Sequence, residues 1–187
     1  MIKQLLLIFS LLITQISFAA PGSHQIPLLH AHINLHDKAS LQRGARLFMN
    51  YCAGCHSLKY LRYSQMARGI GLTNSKGEIY TDLVKAHLIY PKTKLYAPIK
   101  PAMQSTAAKQ WFGTLPPDLT LETARRGADW VYTYLMSFYR DHSRPFGDNN
   151  LLLPNTAMPN VLVNLQGTQI LAFTNKNNKL NMFMCPK

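Results

Sequence analysis

Residues 50–60, "NYCAGCHSLKY", contain two of the chain's three cysteines, Cys52 and Cys55, and a histidine, His56, directly after the second one. Three kinds of site bring these residue types so close together: a disulfide, a zinc site and a covalently attached haem. A disulfide between positions three apart would close a very small loop, and it leaves His56 unexplained. Zinc needs four ligands, and the sequence holds no second Cys or Cys–His pair at a suitable spacing.

The C-x-x-C-H spacing is the pattern of c-type haem attachment. Two thiols at this spacing can add across the two vinyl groups of a haem, and the adjoining histidine can then reach the iron. The sequence therefore predicts one covalently bound haem c, attached through Cys52 and Cys55, with His56 as an axial ligand of the iron.

The first residues of the chain have the pattern of a secretory signal peptide. Lys3 precedes an apolar run over 5–16, and the small residues Ser17 and Ala19 match the usual cleavage pattern. The run is shorter than the roughly 20 residues of a transmembrane helix, and no later segment is as apolar over that length. We expect a signal peptide at 1–19 and export of the chain, with an uncleaved anchor as the alternative.

The net charge of the chain indicates which kinds of molecule it can bind. The 187 residues carry a formal net charge of +12, and the length predicts one domain. Lysines and arginines are dispersed, and aromatic residues do not alternate with them as on surfaces that stack nucleic-acid bases. The charge therefore favours an acidic partner or an anionic lipid surface over a nucleic acid.

The N-terminal part of the chain is predicted to be an extension followed by a helix. Residues 20–37 are turn-rich, and their histidines lack the i,i+4 spacing around a carboxylate that would indicate a metal site. These histidines are His24, His30, His32 and His36. Residues 38–51 are predicted to form a helix with Leu41, Ala45 and Phe48 on one face.

The remaining patterns indicate a mainly α chain with long loops. Glycines and prolines divide 58–117 into short helices and loops. An apolar stripe predicts one long helix over 121–140, with Asp118 or Thr120 as its N-cap. No segment shows the alternation of apolar and polar residues that is typical of strands.

Two levels of resemblance follow from these motifs. Gly44, Phe48 and the C-x-x-C-H motif resemble the N-terminal helix of class I c-type cytochromes, in which the glycine lets another helix cross closely. Three blocks resemble the cytochrome c1 family of the bacterial cytochrome bc1 complex, a ubiquinol–cytochrome c oxidoreductase. These blocks are "LQRGARLFMNYCAGCHSLKYLRYSQMA" (41–67), "WFGTLPPDLTLETARRGADWVYTYLMSFYRD" (111–141) and "RPFGDNNLLLPNTAMPNVLVNLQG" (144–167).

The resemblance implies a mainly α, class I cytochrome c-like haem domain with long inserted loops at 38–167. It implies respiratory electron transfer from a Rieske iron–sulfur protein to a soluble cytochrome c, by a redox subunit without a bond-making active site of its own. Cytochrome b and the Rieske subunit would be its partners, on the periplasmic side of the inner membrane. The rivals are a free exported monohaem carrier and a haem enzyme with an open iron position.

The resemblance also implies a methionine as the second axial ligand, and ligation by a histidine and a thioether raises the potential of a haem. Spacing leaves two candidates on proline-edged loops, Met103 in "KPAMQ" and Met158 in "NTAMPN". Only the resemblance separates them, because the "AMP" of Met158 matches the ligand loop of the family.

The resemblance also implies residues around the haem. An arginine and an aromatic of this family's second block meet the haem propionates, which here implies Arg125 or Arg126 together with Trp130. A solvated helix face is the alternative role for both arginines. Pro116 and Pro117 resemble the proline-bearing stretch whose carbonyl orients the ligand histidine.

The last residues depart from the family pattern. Cytochrome c1 proteins usually end in a helix that packs across the N-terminal helix, followed by a membrane anchor. Residues 168–187, "TQILAFTNKNNKLNMFMCPK", have neither pattern and contain Cys185. We expect an atypical tail here, in which this helix and anchor are missing through truncation, a shifted reading frame or divergence.

Overall fold

The structure, a computed structural model, describes residues 26–173 and 180–184. Over these residues it contains seven α-helices, a π-helical turn and six short strands. The helices are α1 (Lys38–Leu47), α2 (Tyr63–Gly69), α3 (Thr81–His87), α4 (Ser105–Phe112), α5 (Glu122–Arg126), α6 (Ala128–Met136) and α7 (Val163–Gln166). The π-helical turn is Phe48–Cys52, and the strands are β1 (Leu58–Arg62), β2 (Pro98–Ile99), β3 (Phe138–Arg140), β4 (Asp148–Asn150), β5 (Gln169–Phe173) and β6 (Leu180–Met184).

The predicted helix over 38–51 is confirmed and leads directly into the cysteine motif. The Asp37 side chain caps α1 by accepting a hydrogen bond from the Ser40 amide at 2.9 Å. After Leu47 the helix continues as the π-helical turn, which is closed by the Ala53 amide donating to the Phe48 carbonyl at 2.9 Å. Cys52 is therefore the last residue of one continuous helical segment.

The main core lies between α1, the π-helical turn, α2, α3 and β2. The apolar face of α1 packs against it, as the spacing of its residues predicts. The buried members are Met49, Ala53, Tyr63, Met66, Ala67, Ile70, Val84, Leu88 and Ile99. Removing such side chains from water is the main stabilising contribution, at roughly 1.5–3 kcal/mol for each large one.

The prediction of a single helix over 121–140 is wrong. Gly127 has φ +89° and ψ 153°, so it separates α5 from α6 with a backbone that a helix cannot contain. The C-terminal end of α6 is held by Asn150, whose Nδ2 donates to the Tyr134 carbonyl at 2.8 Å. The chain then forms β3, which pairs antiparallel with β4.

The predicted cap of this helix is also wrong. α5 starts after Leu121, whose side chain makes no capping hydrogen bond. The Asp118 carboxylate is engaged elsewhere, by residues that follow the cysteine motif. Aspartate often caps helix N-termini, but here the Asp118 carboxylate accepts hydrogen bonds from Ser57 and Lys59 instead.

Strands are present where the sequence predicted none. Three two-stranded antiparallel sheets form from β1 with β2, β3 with β4, and β5 with β6. The strands are two to five residues long, which is too short for an alternating pattern to stand out. The prediction of short helices and loops over 58–117 is otherwise confirmed, and β5 and β6 form a hairpin in the atypical tail.

Gly44 is exposed, and a Cβ placed on it would meet no atom of the described residues within 4 Å. The close helix crossing that the resemblance implied at this position is therefore not present in the described part of the chain. Within 26–173 and 180–184, no packing contact explains the glycine at this position of α1.

The described part of the N-terminal extension lies along α6. The Leu29 amide donates to Thr133 Oγ1 at 2.8 Å, and the Ala31 amide donates to Asp129 Oδ1 at 2.9 Å. His30 Nδ1 lies 3.3 Å from Asp129 Oδ2. The predicted signal peptide and His24 lie outside the described residues, and within those residues no helix has the length and apolarity to cross a bilayer.

Candidate functional site

The cysteine motif forms one tight turn at the end of the π-helical segment. The amides of Cys55 and His56 both donate to the Cys52 carbonyl, at 3.0 and 2.9 Å. Ala53 is fully buried beneath this turn, whereas both cysteines are partly exposed free thiols. The turn therefore presents two thiols and one imidazole within five consecutive residues, on a base that is fixed in the core.

The electrostatics of the motif keep both thiols protonated. Burial raises the pKa of Cys52, and the neighbouring Cys55 raises it further. Burial also raises the pKa of Cys55. Both shifts favour the neutral thiol over the thiolate at these two positions.

The orientation of His56 is set by a backbone carbonyl far along the chain. His56 is only 9% exposed, and its Nδ1 lies 2.8 Å from the Pro117 carbonyl oxygen. Because a carbonyl can only accept, Nδ1 must carry the proton, which leaves the Nε2 lone pair available for a metal. The contact is made by Pro117, the neighbour of Pro116, within the proline stretch that the resemblance implicated.

Asp118 holds this stretch against the motif. Its Oδ2 accepts from Ser57 Oγ at 2.5 Å and from the Lys59 amide at 2.8 Å, and its Oδ1 accepts from the Thr120 amide at 3.1 Å. Burial opposes ionisation of this carboxyl, but the hydrogen bonds outweigh it and lower the pKa to about 2. Asp118 thereby fixes the chain on either side of the Pro117–His56 contact. Sequence reasoning missed this role.

Tyr90 is a second residue that sequence reasoning missed. Its Oη donates to the Met49 carbonyl at 3.1 Å, within the π-helical turn. Burial raises the pKa of Tyr90, and the nearby Cys55 and Cys52 raise it further. Tyr90 is therefore tied to the π-helical turn that leads into the cysteine motif, and no local motif around it indicates this position.

A ladder of stacked side chains runs along α5 and α6. The Arg126 guanidinium lies 3.9 Å from the centre of the Trp130 ring, which stacks on Tyr134 at 5.3 Å and 7°. Tyr134 in turn meets Phe138 edge-on at 5.2 Å. The four residues are spaced i,i+4 in the sequence, but Gly127 interrupts the helix between Arg126 and Trp130 and Phe138 lies in β3, so the helical period alone does not predict the ladder.

The two candidate arginines differ in their surroundings. Arg125 and Arg126 both pair with Glu122, at 2.7 and 2.5 Å. The Arg126 side chain is 29% exposed and covers Trp130, whereas the Arg125 side chain is 61% exposed. The structure thus brings Arg126, and not Arg125, together with Trp130.

The loop that carries Met158 is held by polar side chains on the N-terminal side of the methionine. Asn150 is fully buried, and its Oδ1 accepts from the amides of Leu152 and Leu153, both at 3.0 Å. Closer to the methionine, Thr156 Oγ1 lies 2.9 Å from Tyr134 Oη. Met158 itself is half-buried, so the loop is fixed while its thioether remains partly accessible.

Met103 lies directly against the cysteine motif. Its amide donates to the Gly54 carbonyl at 2.9 Å, inside the C-x-x-C-H turn. The backbone of Met103 is therefore tied to the turn that carries His56. The structure therefore groups Met103, Pro117 and Asp118 with the motif, and links the Met158 loop to Arg126 and Trp130 through Tyr134.

The donor set fits a haem better than a bare metal ion. In the part of the chain that the structure describes, no group of three or more His, Cys, Asp or Glu side chains is arranged to hold a metal. Two thiols beside a histidine with a free Nε2 match what covalent haem attachment requires. The described histidines of the extension likewise form no such cluster.

Comparisons with known proteins agree with this geometry. The profile of the Cytochrome C1 family matches residues 29–172. Cytochrome c1 of Allochromatium vinosum is 46% identical over 167 residues, which cover 89% of this chain and 65% of that protein. The ammonia monooxygenase gamma subunit of Nitrosomonas europaea is 42% identical over 82% of this chain and 63% of that protein.

A more distant relative is a mitochondrial cytochrome c1 heme protein of Arabidopsis thaliana. It is 28% identical over 58% of this chain and 39% of its own length. The chain thus spans less than two thirds of the length of the curated relatives it matches. The family profile covers the cysteine motif, the proline stretch and the methionine loop together, and the chain therefore belongs to the cytochrome c1 family, whose cofactor is a covalently bound c-type haem.

Proposed function

We propose that this chain is the haem-carrying electron-transfer subunit of a respiratory cytochrome bc1 complex. The observation that carries the proposal is the C-x-x-C-H turn with its histidine held at Nδ1 by the Pro117 carbonyl. Family membership supports the same role. In this proposal the described helices form a class I cytochrome c-like domain, exported by the signal peptide at 1–19 and working on the periplasmic side of the inner membrane.

Each part of the site has a separate task in this function. The haem supplies one-electron redox chemistry at its iron. Cys52 and Cys55 would attach it covalently, and the bond from Nδ1–H to Pro117 would hold the imidazole of His56 with Nε2 free as an iron ligand and make it more basic. Met158 would supply a soft neutral sulfur from its loop, and such a ligand favours the reduced iron and raises the potential.

The Arg126–Trp130 pair would meet the acidic edge of the haem. Propionates that lie inside a protein need cationic or hydrogen-bonding partners. Arg126 is shielded by Trp130 and is held in place by Glu122, so it is pre-oriented for this contact. Arg125 pairs with the same carboxylate from a more exposed position.

The proposal places this chain between two redox partners. The electron would come from a Rieske iron–sulfur protein and pass to a soluble cytochrome c, with cytochrome b as a further subunit. A tagged chain, expressed in its own host with the haem-attachment system, should co-purify from detergent extracts with a b-type cytochrome and an iron–sulfur protein in fixed ratio. The reduced complex should show a low-spin c-type spectrum that carbon monoxide does not change.

Two results would replace this function by one of its rivals. Recovery of the haem protein alone, without either partner, would favour a free monohaem carrier. A reduced spectrum that shifts with carbon monoxide would indicate an open iron position and hence a haem enzyme. A variant with His56→Met serves as the control for the spectrum, because it changes the axial ligand while both cysteines remain.

A further inference from the structure

Two long segments of the chain carry positive charge without any negative charge. Residues 38–77 and 83–117 contain twelve of the twenty lysines and arginines and none of the eight acidic residues. Throughout the described residues, ion pairs involve only His30, Arg125 and Arg126 as the basic partners. The cations of these two segments therefore face solvent without a carboxylate to neutralise them.

The fold brings residues 58–64 of the first segment against residues 95–99 of the second. β1 pairs with β2, with Leu58 opposite Ile99 and Arg62 opposite Pro98. Past the end of β1, the Ser64 amide donates to the Leu95 carbonyl at 2.9 Å. The exposed residues that flank Leu95, Lys94 and Tyr96, are thus brought towards the start of α2.

The parts of the two segments that meet here line an open depression of about 500 Å³, which we call the basic β1 surface. Its lining residues are Lys59, Tyr60, Arg62, Ser64, Gln65 and Pro98. Lys59 Nζ lies 5.0 Å from the centre of the Tyr60 ring, and the Tyr60 side chain is 64% exposed. Gln65 Oε1 accepts from the Arg62 amide at 2.9 Å, which fixes the wall between them.

This surface lies close to the haem attachment turn. Lys59 is three residues beyond His56, and its amide is held by the same Asp118 carboxylate that secures the proline stretch. A partner seated on the basic β1 surface would therefore lie next to the segment that carries the iron ligand. Short-lived redox encounters need such proximity and small contact areas.

We propose that the basic β1 surface is the docking site of an acidic, water-soluble electron-transfer protein, an inference that rests on the proposed function. Unpaired cations attract a partner rich in carboxylates and speed its encounter. An exposed tyrosine between Lys59 and Arg62 adds flat contact area, and Tyr and Arg contribute most often to binding energy at protein interfaces. A concave wall receives protruding side chains, which favours a folded protein over a flat lipid surface.

The test compares two variants with the same change in charge. Lys59→Glu/Arg62→Glu reverses two cations of the surface, and Lys85→Glu/Arg140→Glu reverses two exposed cations on α3 and β3. The probes are a basic cytochrome c and the same cytochrome after succinylation of its lysines. Binding of the oxidised proteins is measured by calorimetry at low ionic strength, and electron transfer from the reduced holoprotein is measured by stopped flow.

The wild-type holoprotein should bind the succinylated probe, and its transfer rate should fall as salt shortens the Debye length from about 30 Å at 0.01 M to about 10 Å at 0.1 M. Lys59→Glu/Arg62→Glu should weaken binding and slow transfer at least tenfold at low salt, whereas the control variant should change either by less than threefold. Equal losses in both variants would overturn the proposal, as would tighter binding of the unmodified basic probe.

Further outcomes distinguish the docking surface from a lipid-binding site and from a failure of the proposed electron-transfer function. If Lys59→Glu/Arg62→Glu abolishes binding to vesicles with anionic phospholipids but leaves transfer to the succinylated probe intact, the surface is a lipid site and the proposal is wrong. If the wild-type holoprotein reduces neither probe even at high salt, the proposed electron-transfer function fails. Transfer to both probes that is independent of salt overturns only the docking surface.

Discussion

Replacement of Asp118 by alanine should destabilise the protein and loosen the support of His56. The carboxylate accepts hydrogen bonds from Ser57 Oγ, the Lys59 amide and the Thr120 amide, and the first two connect chain segments about 60 positions apart. They lower the pKa of Asp118 from 3.8 to about 2, although burial alone would raise it. The shift measures how strongly the folded chain prefers the ionised form.

The magnitude follows from this shift. Each unit of pKa corresponds to about 1.4 kcal/mol, so the shift has an upper bound of about 2.5 kcal/mol. Because Asp118 is partly exposed, solvent screening reduces this contribution to about 1 kcal/mol. Loss of all three hydrogen bonds in Asp118→Ala should lower the free energy of unfolding by about 1–3 kcal/mol. Asp118→Asn keeps one acceptor oxygen and should lose less.

The pH dependence gives the sharper measurement. A lowered folded-state pKa means that the stabilisation by Asp118 is complete above the unfolded-state pKa and disappears as pH falls from about 4 to 2. Urea unfolding of the holoproteins, followed by circular dichroism at pH 7 and pH 2.5, should therefore show a difference between wild type and Asp118→Asn that shrinks at the lower pH. The difference isolates Asp118 from the other carboxylates that titrate in this range.

This test also uses a matched control variant and a second measurement, the haem potential. Asp82→Ala removes an exposed carboxylate from the first turn of α3 and should cost less than about 0.5 kcal/mol. In Asp118→Ala the Pro117 carbonyl is less fixed, and its hydrogen bond with His56 Nδ1–H is weakened. The imidazole then gives less electron density to the iron, and the haem potential should rise. The reasoning is refuted if Asp118→Ala costs no more than Asp82→Ala, or if the difference between wild type and Asp118→Asn is the same at both pH values.

Three further predictions concern single parts of the site. Mass spectrometry should find one haem on the peptide that contains Cys52 and Cys55, and none in Cys52→Ser/Cys55→Ser; an unmodified or disulfide-linked wild-type peptide would contradict attachment. Tyr134→Phe removes the hydrogen bond to Thr156 and so loosens the loop that carries Met158. As pH is raised, the methionine–iron charge-transfer band should therefore disappear at a lower pH than in wild type, and the control Tyr132→Phe should not show this shift. Arg126→Leu should lower the midpoint potential by about 40 mV, which corresponds to about 1 kcal/mol for one electron, and the assignment fails if Arg125→Leu has the larger effect.

Local patterns in the sequence were enough to predict the segment that leads into the motif. The spacing of Leu41, Ala45 and Phe48 depends only on the helical period, and α1 has the predicted inner face. The same rule failed over 121–140, because the apolar stripe continues through Gly127. Only the positive φ of that glycine, which the stripe does not reveal, divides the segment into two helices.

The supports of the site could not be predicted in the same way. Asp118 and Ser57 are 61 positions apart, and Tyr134 and Thr156 are 22 apart. Which of many polar residues meet is decided by how the chain closes its long loops, and no periodicity encodes it. The family resemblance did indicate the proline stretch beside His56, whereas the roles of Met158, Arg126 and Trp130 toward the haem stay predictions.

The measurement that tests the account most directly is the spectrum of two methionine variants. Met158→Leu and Met103→Leu each keep the side-chain volume nearly constant and remove only the sulfur donor. In Met158→Leu we expect the methionine–iron charge-transfer band to disappear and the potential to fall markedly, with the haem still covalently attached. Met103→Leu should keep both the band and the potential. Loss of the band in Met103→Leu, together with its survival in Met158→Leu, would contradict the proposed axial pair.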